Sequence, residues 1–270
     1  MFKAKTTLIT GGSSGLGLAL AKSLAKRQAD LILVARDKTK LEAAKAEILT
    51  ETPNAQVAIY SLDVTKADQI EAQLADILSS HQSQLDILIN CAGILREGYF
   101  ETLASKDFED VMQVNYFGLL NITRAALPYL KQSKGRLVNI GSIAGLTGVF
   151  GYTPYCSAKH ALIGLTDSLR YELKPQGIKV HMVCPGEFDS PMVDAFDASR
   201  TPENRAHTLS IPKSSVEFIV SETIKGLEKD KYQIIPGKTA RFFARLMRWF
   251  PSLSRSITDK TIAKVYVGPK

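Results

Sequence analysis

The sequence predicts a doubly wound α/β fold: a parallel seven-stranded sheet with helices on both faces, followed by a helical extension. Three observations predict it. Short β-branched runs alternate with longer helical stretches along the chain. Several of those runs are apolar on both faces, as strands covered on both sides of a sheet are. A glycine-rich turn follows the first run, where such sheets bind ligands.

The strands read, in order, TTLIT at 6–10, LILVA at 31–35, QVAIY at 56–60 and DILIN at 86–90. RLVNI at 136–140, KVHMV at 179–183 and YQII at 232–235 complete the set. Helical patterns fill 15–28, 38–50, 66–80, 105–130, 155–174 and 214–229. Strand, helix, strand in repetition implies right-handed crossovers. Pro236-Gly237 marks the boundary between a domain of 1–237 and an extension of 238–270.

The 270 residues suit one α/β domain, and a hydrophobic fraction of 45% fills its core. The three cysteines, Cys91, Cys156 and Cys184, are odd in number and lie within or at the ends of elements. They read as reduced thiols of a cytoplasmic protein. The N-terminus runs almost directly into a strand, so no signal peptide is expected, and no apolar run is long enough to span a bilayer. The four histidines are scattered and suggest no metal site. The formal charge of +7 is uneven: residues 225–270 hold eleven Lys or Arg against three Asp or Glu. The basicity therefore concerns a local partner of the tail.

TGGSSGLG at 10–17 places Gly11, Ser13, Ser14, Gly15, Leu16 and Gly17 between the first strand and a helix. Small residues let the backbone approach a pyrophosphate, and the helix N-terminus offers it unpaired N–H groups. By itself such a loop could be a tight turn. The second strand ends in Ala35-Arg36. A carboxylate here would meet the ribose 2′-OH of NAD; an arginine suits the 2′-phosphate of NADP(H), with Lys40 as a second cation.

These residues, taken with others in order, resemble the short-chain dehydrogenase/reductase family. The motifs are TGGSSGLG, Asp63-Val64 after the third strand, NCAG at 90–93, Asn115, Ser142, YCSAK at 155–159 and Pro185-Gly186. The resemblance covers about residues 5 to 236 and implies a Rossmann-type catalytic domain. It implies that Asp63 and Val64 border the adenine, and that Asn90, Ala92 and Gly93 line the dinucleotide path. Pro185, Gly186, Phe188 and Ser190 would pass the nicotinamide. Cys91 and Ser190 depart from the family's usual asparagine and threonine.

The resemblance also gives Tyr155 and Lys159 a role. They are four residues apart, one helical turn on one face. Tyr155 would protonate a carbonyl oxygen as hydride reaches the carbon, and Lys159 would make the phenol more acidic and hold the cofactor ribose. Ser142 would orient the substrate oxygen, and Asn115 would hold a relay water. Each residue alone has a blander reading: a helix surface pair, a turn serine, a polar helix residue.

Ile94, Leu95, Phe100, Leu146, Val149, Phe150, Phe188, Met192, Val193 and Phe196 should border the substrate and favour a hydrophobic carbonyl compound. In the tail, Arg241, Arg245 and Arg248 share one helical face, and Phe242, Leu246, Trp249 and Phe250 another. That pattern suits peripheral contact with a membrane through residues 238–250, or packing on the protein's own subunit. Nucleic acid is disfavoured because the first 224 residues are near neutral. Within the family, GGSSG, Ala35-Arg36, GVFGYTPYCSAK and LKPQGIKV resemble the branch that reduces 3-ketodihydrosphingosine, a long-chain keto base, with NADPH at a membrane. The alternatives are a soluble 3-oxoacyl-carrier-protein or general carbonyl reductase, and an NADPH sensor without turnover. The resemblance implies a homodimer or homotetramer.

Overall fold

In the computed structural model, which describes residues 1–198 and 200–269, seven strands pair in parallel throughout. They are β1 (Thr6–Thr10), β2 (Asp30–Ala35), β3 (Val57–Ser61), β4 (Ile87–Asn90), β5 (Arg136–Ile140), β6 (Lys179–Val183) and β7 (Gln233–Ile234). Their order is β3-β2-β1-β4-β5-β6-β7, so the winding reverses between β1 and β4. That reversal opens a crevice at the carboxyl ends of the strands.

The alternation of side chains sorts the core into two layers. Ile9, Leu33, Ile89 and Val138 point to one face, covered by α1 (Gly15–Ala25), α2 (Lys38–Glu51) and α9 (Val216–Glu228). Leu8, Ile32, Leu88 and Leu137 point to the other. There α3 (Ala67–Ser79), α5 (Leu119–Ser133) and α6 (Thr153–Leu173) cover them. The expected strands are all present. β7 is shorter than its sequence pattern, because only Met182 and Val183 of β6 pair with it.

The helix expected over 105–130 is interrupted. α4 (Ser105–Met112) passes into one wide π turn, Gln113–Gly118, before α5 continues. Gly118 lets this turn pack closely on the core: a Cβ there would stand 2.6 Å from Val64 Cγ2. Two short helices, α7 (Pro191–Asp197) and α8 (Pro202–Thr208), were not expected from the sequence. They form a lid after β6.

One polar feature crosses the second core layer. Asn90 Nδ2 donates to Thr123 Oγ1 of α5 and to Asn139 Oδ1 of β5, at 3.0 and 2.9 Å. Asn139 Nδ2 then donates to Thr166 Oγ1 of α6 at 2.9 Å. All four residues are buried, and Asn90 stands directly opposite Asn139 in the β4–β5 register.

The extension forms α10 (Lys238–Trp249) and α11 (Pro251–Ala263). Its inner side packs on the domain: Ala240 is buried, and Arg241 pairs with Glu222 of α9 and donates to the Ile235 carbonyl. Its outer side exposes Phe242, Trp249, Phe250, Leu253 and Ile257. No helix among the described residues is long and apolar enough to cross a membrane.

Candidate active site

The glycine loop between β1 and α1 is shaped from within by two close approaches. A Cβ on Gly17 would meet the Gly11 carbonyl at 2.2 Å, and a Cβ on Gly11 would meet Ala92 backbone at 2.9 Å. Gly11 also has φ of +68°. Gly15 differs: its φ is +51°, and a Cβ there would touch only Pro191 Cδ, at 3.7 Å. The loop is therefore closed inwardly and open outwardly at Gly15, a cradle that a side chain would fill. Ser14 leaves the start of α1 without a side-chain cap, so its hydroxyl and the helix N-terminus face the same crevice. This fits a pyrophosphate. Leu16 and Gly17 line the crevice too, whereas Ser13 stands outside its lining.

At the end of β2, Arg36 is exposed, and its carbonyl accepts from Ser61. Asp37, one residue on, does not offer its carboxylate to a ribose; it caps α2 through the Lys40 N–H at 3.0 Å. Lys40 Nζ lies 4.0 Å from the same carboxylate. Asp63 sits nearby. Burial would raise its pKa, but two hydrogen bonds from Thr65 and the cations Arg36 and Lys66 hold it below the ordinary value. The Val64 side chain is buried against Gly118.

After β4, Cys91, Ala92 and Gly93 line the crevice, and the Thr10 hydroxyl accepts from the N–H groups of Cys91 and Ala92 at 3.0 and 3.1 Å. Thr10 thus ties the two loops together across the reversal. Asn90 stands beneath the crevice, outside its lining. Its Nδ2 is engaged in the buried ladder, while among the described residues its buried Oδ1 has no hydrogen-bond partner. Asn115 is buried and tied to the loop after β4. Its Oδ1 accepts from Ile94 N and its Nδ2 donates to Ile94 O, both at 2.8 Å. The side chain thereby positions the 94 loop, and each half of its amide keeps one further hydrogen-bonding position.

Tyr155 and Lys159 do share one face of α6, and both line the crevice opposite Ser142. Lys159 is buried; its Nζ donates to the Ile140 carbonyl at 2.8 Å and lies 5.5 Å from the Tyr155 ring centre. Burial pushes its pKa down to about 8. Burial raises the Tyr155 phenol above its ordinary value, against the Ser142 hydroxyl that hydrogen-bonds it and lowers it. In the protein alone, loss of solvent around the phenol is the largest influence on it. Ser142 Oγ also accepts from Ala144 N at 3.1 Å, which fixes its rotamer.

Pro185, Gly186, Phe188 and Ser190 follow β6 and line the crevice as expected. The lid above them is held by a buried ion pair, Arg200 Nη2 to Glu187 Oε2 at 2.6 Å. Thr201 donates to Glu97, and Asn204 donates to the Phe150 carbonyl. Glu203 accepts from the Tyr99 hydroxyl and from the N–H of Val267, which straps the end of the extension to α8.

Of the expected lining, Leu95, Val149, Phe188, Met192 and Val193 border the crevice. Phe100 is exposed and edges Phe108, Phe150 packs on Tyr99, and Leu146 borders a separate groove under α10. Ile94 is outside the lining, and the Phe196 side chain lies outside the described residues. No local pattern marks His207, Ile211 or Met247, which join the wall from α8, the turn after it and α10.

The chain matches the short chain dehydrogenase family over residues 5–201. It is 35% identical over 227 residues to the 3-ketodihydrosphingosine reductase of Bos taurus, covering 81% of this chain and 68% of that one. It is 32% identical over 241 residues to the 3-oxoacyl-[acyl-carrier-protein] reductase of Staphylococcus aureus strain Mu50, covering 88% and 96%. Among solved structures it is similar to a short-chain dehydrogenase from Sphingobium yanoikuyae in complex with NADPH. The TM-score is 0.76 at 28% identity, over 98% of each chain. With a glycine cradle on β1, a tyrosine and lysine on α6 and this match over most of its length, the chain belongs to the short-chain dehydrogenase family of oxidoreductases.

Proposed function

We propose that this chain is an NADPH-dependent reductase of a hydrophobic, long-chain carbonyl compound, of the 3-ketodihydrosphingosine kind. The observation that carries the reading is the convergence of Tyr155, Ser142 and Lys159 on one apolar crevice that begins at the glycine cradle. The nicotinamide dinucleotide, when bound, supplies hydride. The Gly11–Gly17 loop would hold its pyrophosphate and Arg36 its 2′-phosphate, with Asp37 already engaged as a cap.

The chain's own residues do the rest. Ser142, its rotamer fixed by Ala144 N, is placed to donate to the substrate oxygen. The raised phenol of Tyr155 stays protonated at neutral pH, so a proton is available when negative charge develops on that oxygen. Lys159 keeps two of its three N–H donors after serving Ile140, enough for a ribose. Leu95, Val149 and Val193 exclude water and receive an aliphatic chain. An exposed aromatic ridge with basic neighbours on α10 and α11 supports peripheral contact with a lipid surface.

NADPH consumption with keto-lipids, 3-oxoacyl thioesters and steroid ketones tests the reading. The expected outcome is turnover of long-chain ketones above the other two classes. Tyr155→Phe should keep NADPH binding and lose at least about a thousandfold in kcat. Near-normal turnover in that variant removes the mechanism.

A further inference from the structure

His207 is a polar residue in the apolar wall, and its hydrogen bonding fixes its chemical state. Nδ1 accepts from the Phe150 N–H at 3.1 Å. A nitrogen that accepts carries no proton, so in the neutral ring the hydrogen sits on Nε2. Burial lowers the histidine pKa below its ordinary value, which keeps the ring neutral. Among the described residues nothing accepts from Nε2.

Neighbouring polar groups of this wall are engaged. The Ser210 hydroxyl donates to the His207 carbonyl, and the Thr208 hydroxyl donates to the Asn204 carbonyl. Glu187 is paired with Arg200. The helix that carries His207 is also held rigidly, because Asn204 bonds the Phe150 carbonyl and Arg200 together. His207 lines the crevice, so its wall carries one N–H donor on a ring held in place. A substrate that displaces water from such a donor loses free energy unless it supplies an acceptor of its own.

We propose that His207 Nε2–H is a hydrogen-bond donor to the substrate, and that the enzyme selects carbonyl compounds carrying a second oxygen acceptor over plain ketones of equal length. The inference rests on the reductase reading and adds to it a polar subsite set apart from Ser142 and Tyr155. A site built around a hydrogen bond discriminates strongly against the analogue that lacks it.

The test compares kcat/KM for 2-dodecanone with that for chains of the same length bearing a hydroxyl or ester oxygen one to three carbons from the ketone. The wild type should favour the best oxygenated chain by at least about tenfold. His207→Leu should bring that ratio near one, and His207→Gln, whose amide N–H can replace Nε2–H, should restore part of it. No preference in the wild type, or an unchanged ratio in His207→Leu, overturns the proposal. A second readout does not depend on turnover. Nitrogen-15 NMR of histidine-labelled protein should show the Nε2–H tautomer, and that signal should shift with the oxygenated ketone and not with dodecanone. An Nδ1–H tautomer overturns the proposal, as does an unmoved signal. Failure to turn over any ketone defeats the reductase reading separately.

Discussion

Lys159 is a buried ammonium that donates to the Ile140 carbonyl, and burial takes its pKa from 10.5 to about 8. That displacement corresponds to roughly 3 kcal/mol against the charged form. The sign sets the pH dependence. Below about 8 the amine is charged and can favour negative charge on the neighbouring phenol; above it, the charge is lost. Tyr155, with its pKa raised, remains protonated over the same range. Reductive kcat/KM should therefore fall as pH rises through about 8, along a limb that belongs to Lys159. A profile measured from about pH 6 to about pH 10 checks this; a flat line contradicts it. The Tyr155–Lys159 pairing was legible in the sequence because four residues is one turn of helix. The balance of their pKa values was not, because it depends on how much solvent the fold removes around each group.

At the level of elements, the carboxyl ends of the strands were legible and the lid was not. Each strand end bears residues whose spacing from the strand is fixed, so Gly11 and Arg36 stood out by position, whereas Ala92, Ser142 and Pro185 were found through the family resemblance. The lid is held by partners far apart in the chain. Glu97 meets Thr201 across 104 positions, and Phe150 meets Asn204 across 54. No local periodicity announces such contacts, and α7 and α8 are only seven residues each. The end of β2 carries a prediction of its own. With Asp37 engaged as the cap of α2, the proposed reading leaves Arg36 as the charge that would meet the cofactor's ribose end. NADPH should bind at least about tenfold tighter than NADH, and Arg36→Ala should narrow that gap, as read by fluorescence titration. Equal affinities in the wild type would refute it.

Across the whole molecule, the extension serves two surfaces at once. Its inner side is part of the enzyme: Met247 lines the crevice, Arg241 pairs with Glu222, and Val267 reaches Glu203. Its outer side carries Phe242, Trp249, Phe250, Leu253 and Ile257 in the open. Deleting the extension would disturb both, so point changes on the outer side are the cleaner probe. Phe242→Ser with Trp249→Ser should leave the fold intact and reduce flotation with anionic vesicles severalfold, while indifference of both proteins to vesicles counts against lipid contact. The sequence could place the arginines and aromatics on separate faces, but not say that Arg241 turns inward, since Glu222 lies on another helix. A last consequence follows from the amides of Asn90 and Asn139, which bolt α5, two central strands and α6 into one piece. Neither helix can peel away without exposing a polar atom that has no substitute partner in the hydrocarbon around it. Amide hydrogens in these four segments should thus exchange with solvent only when the middle of the protein opens as a single cooperative event.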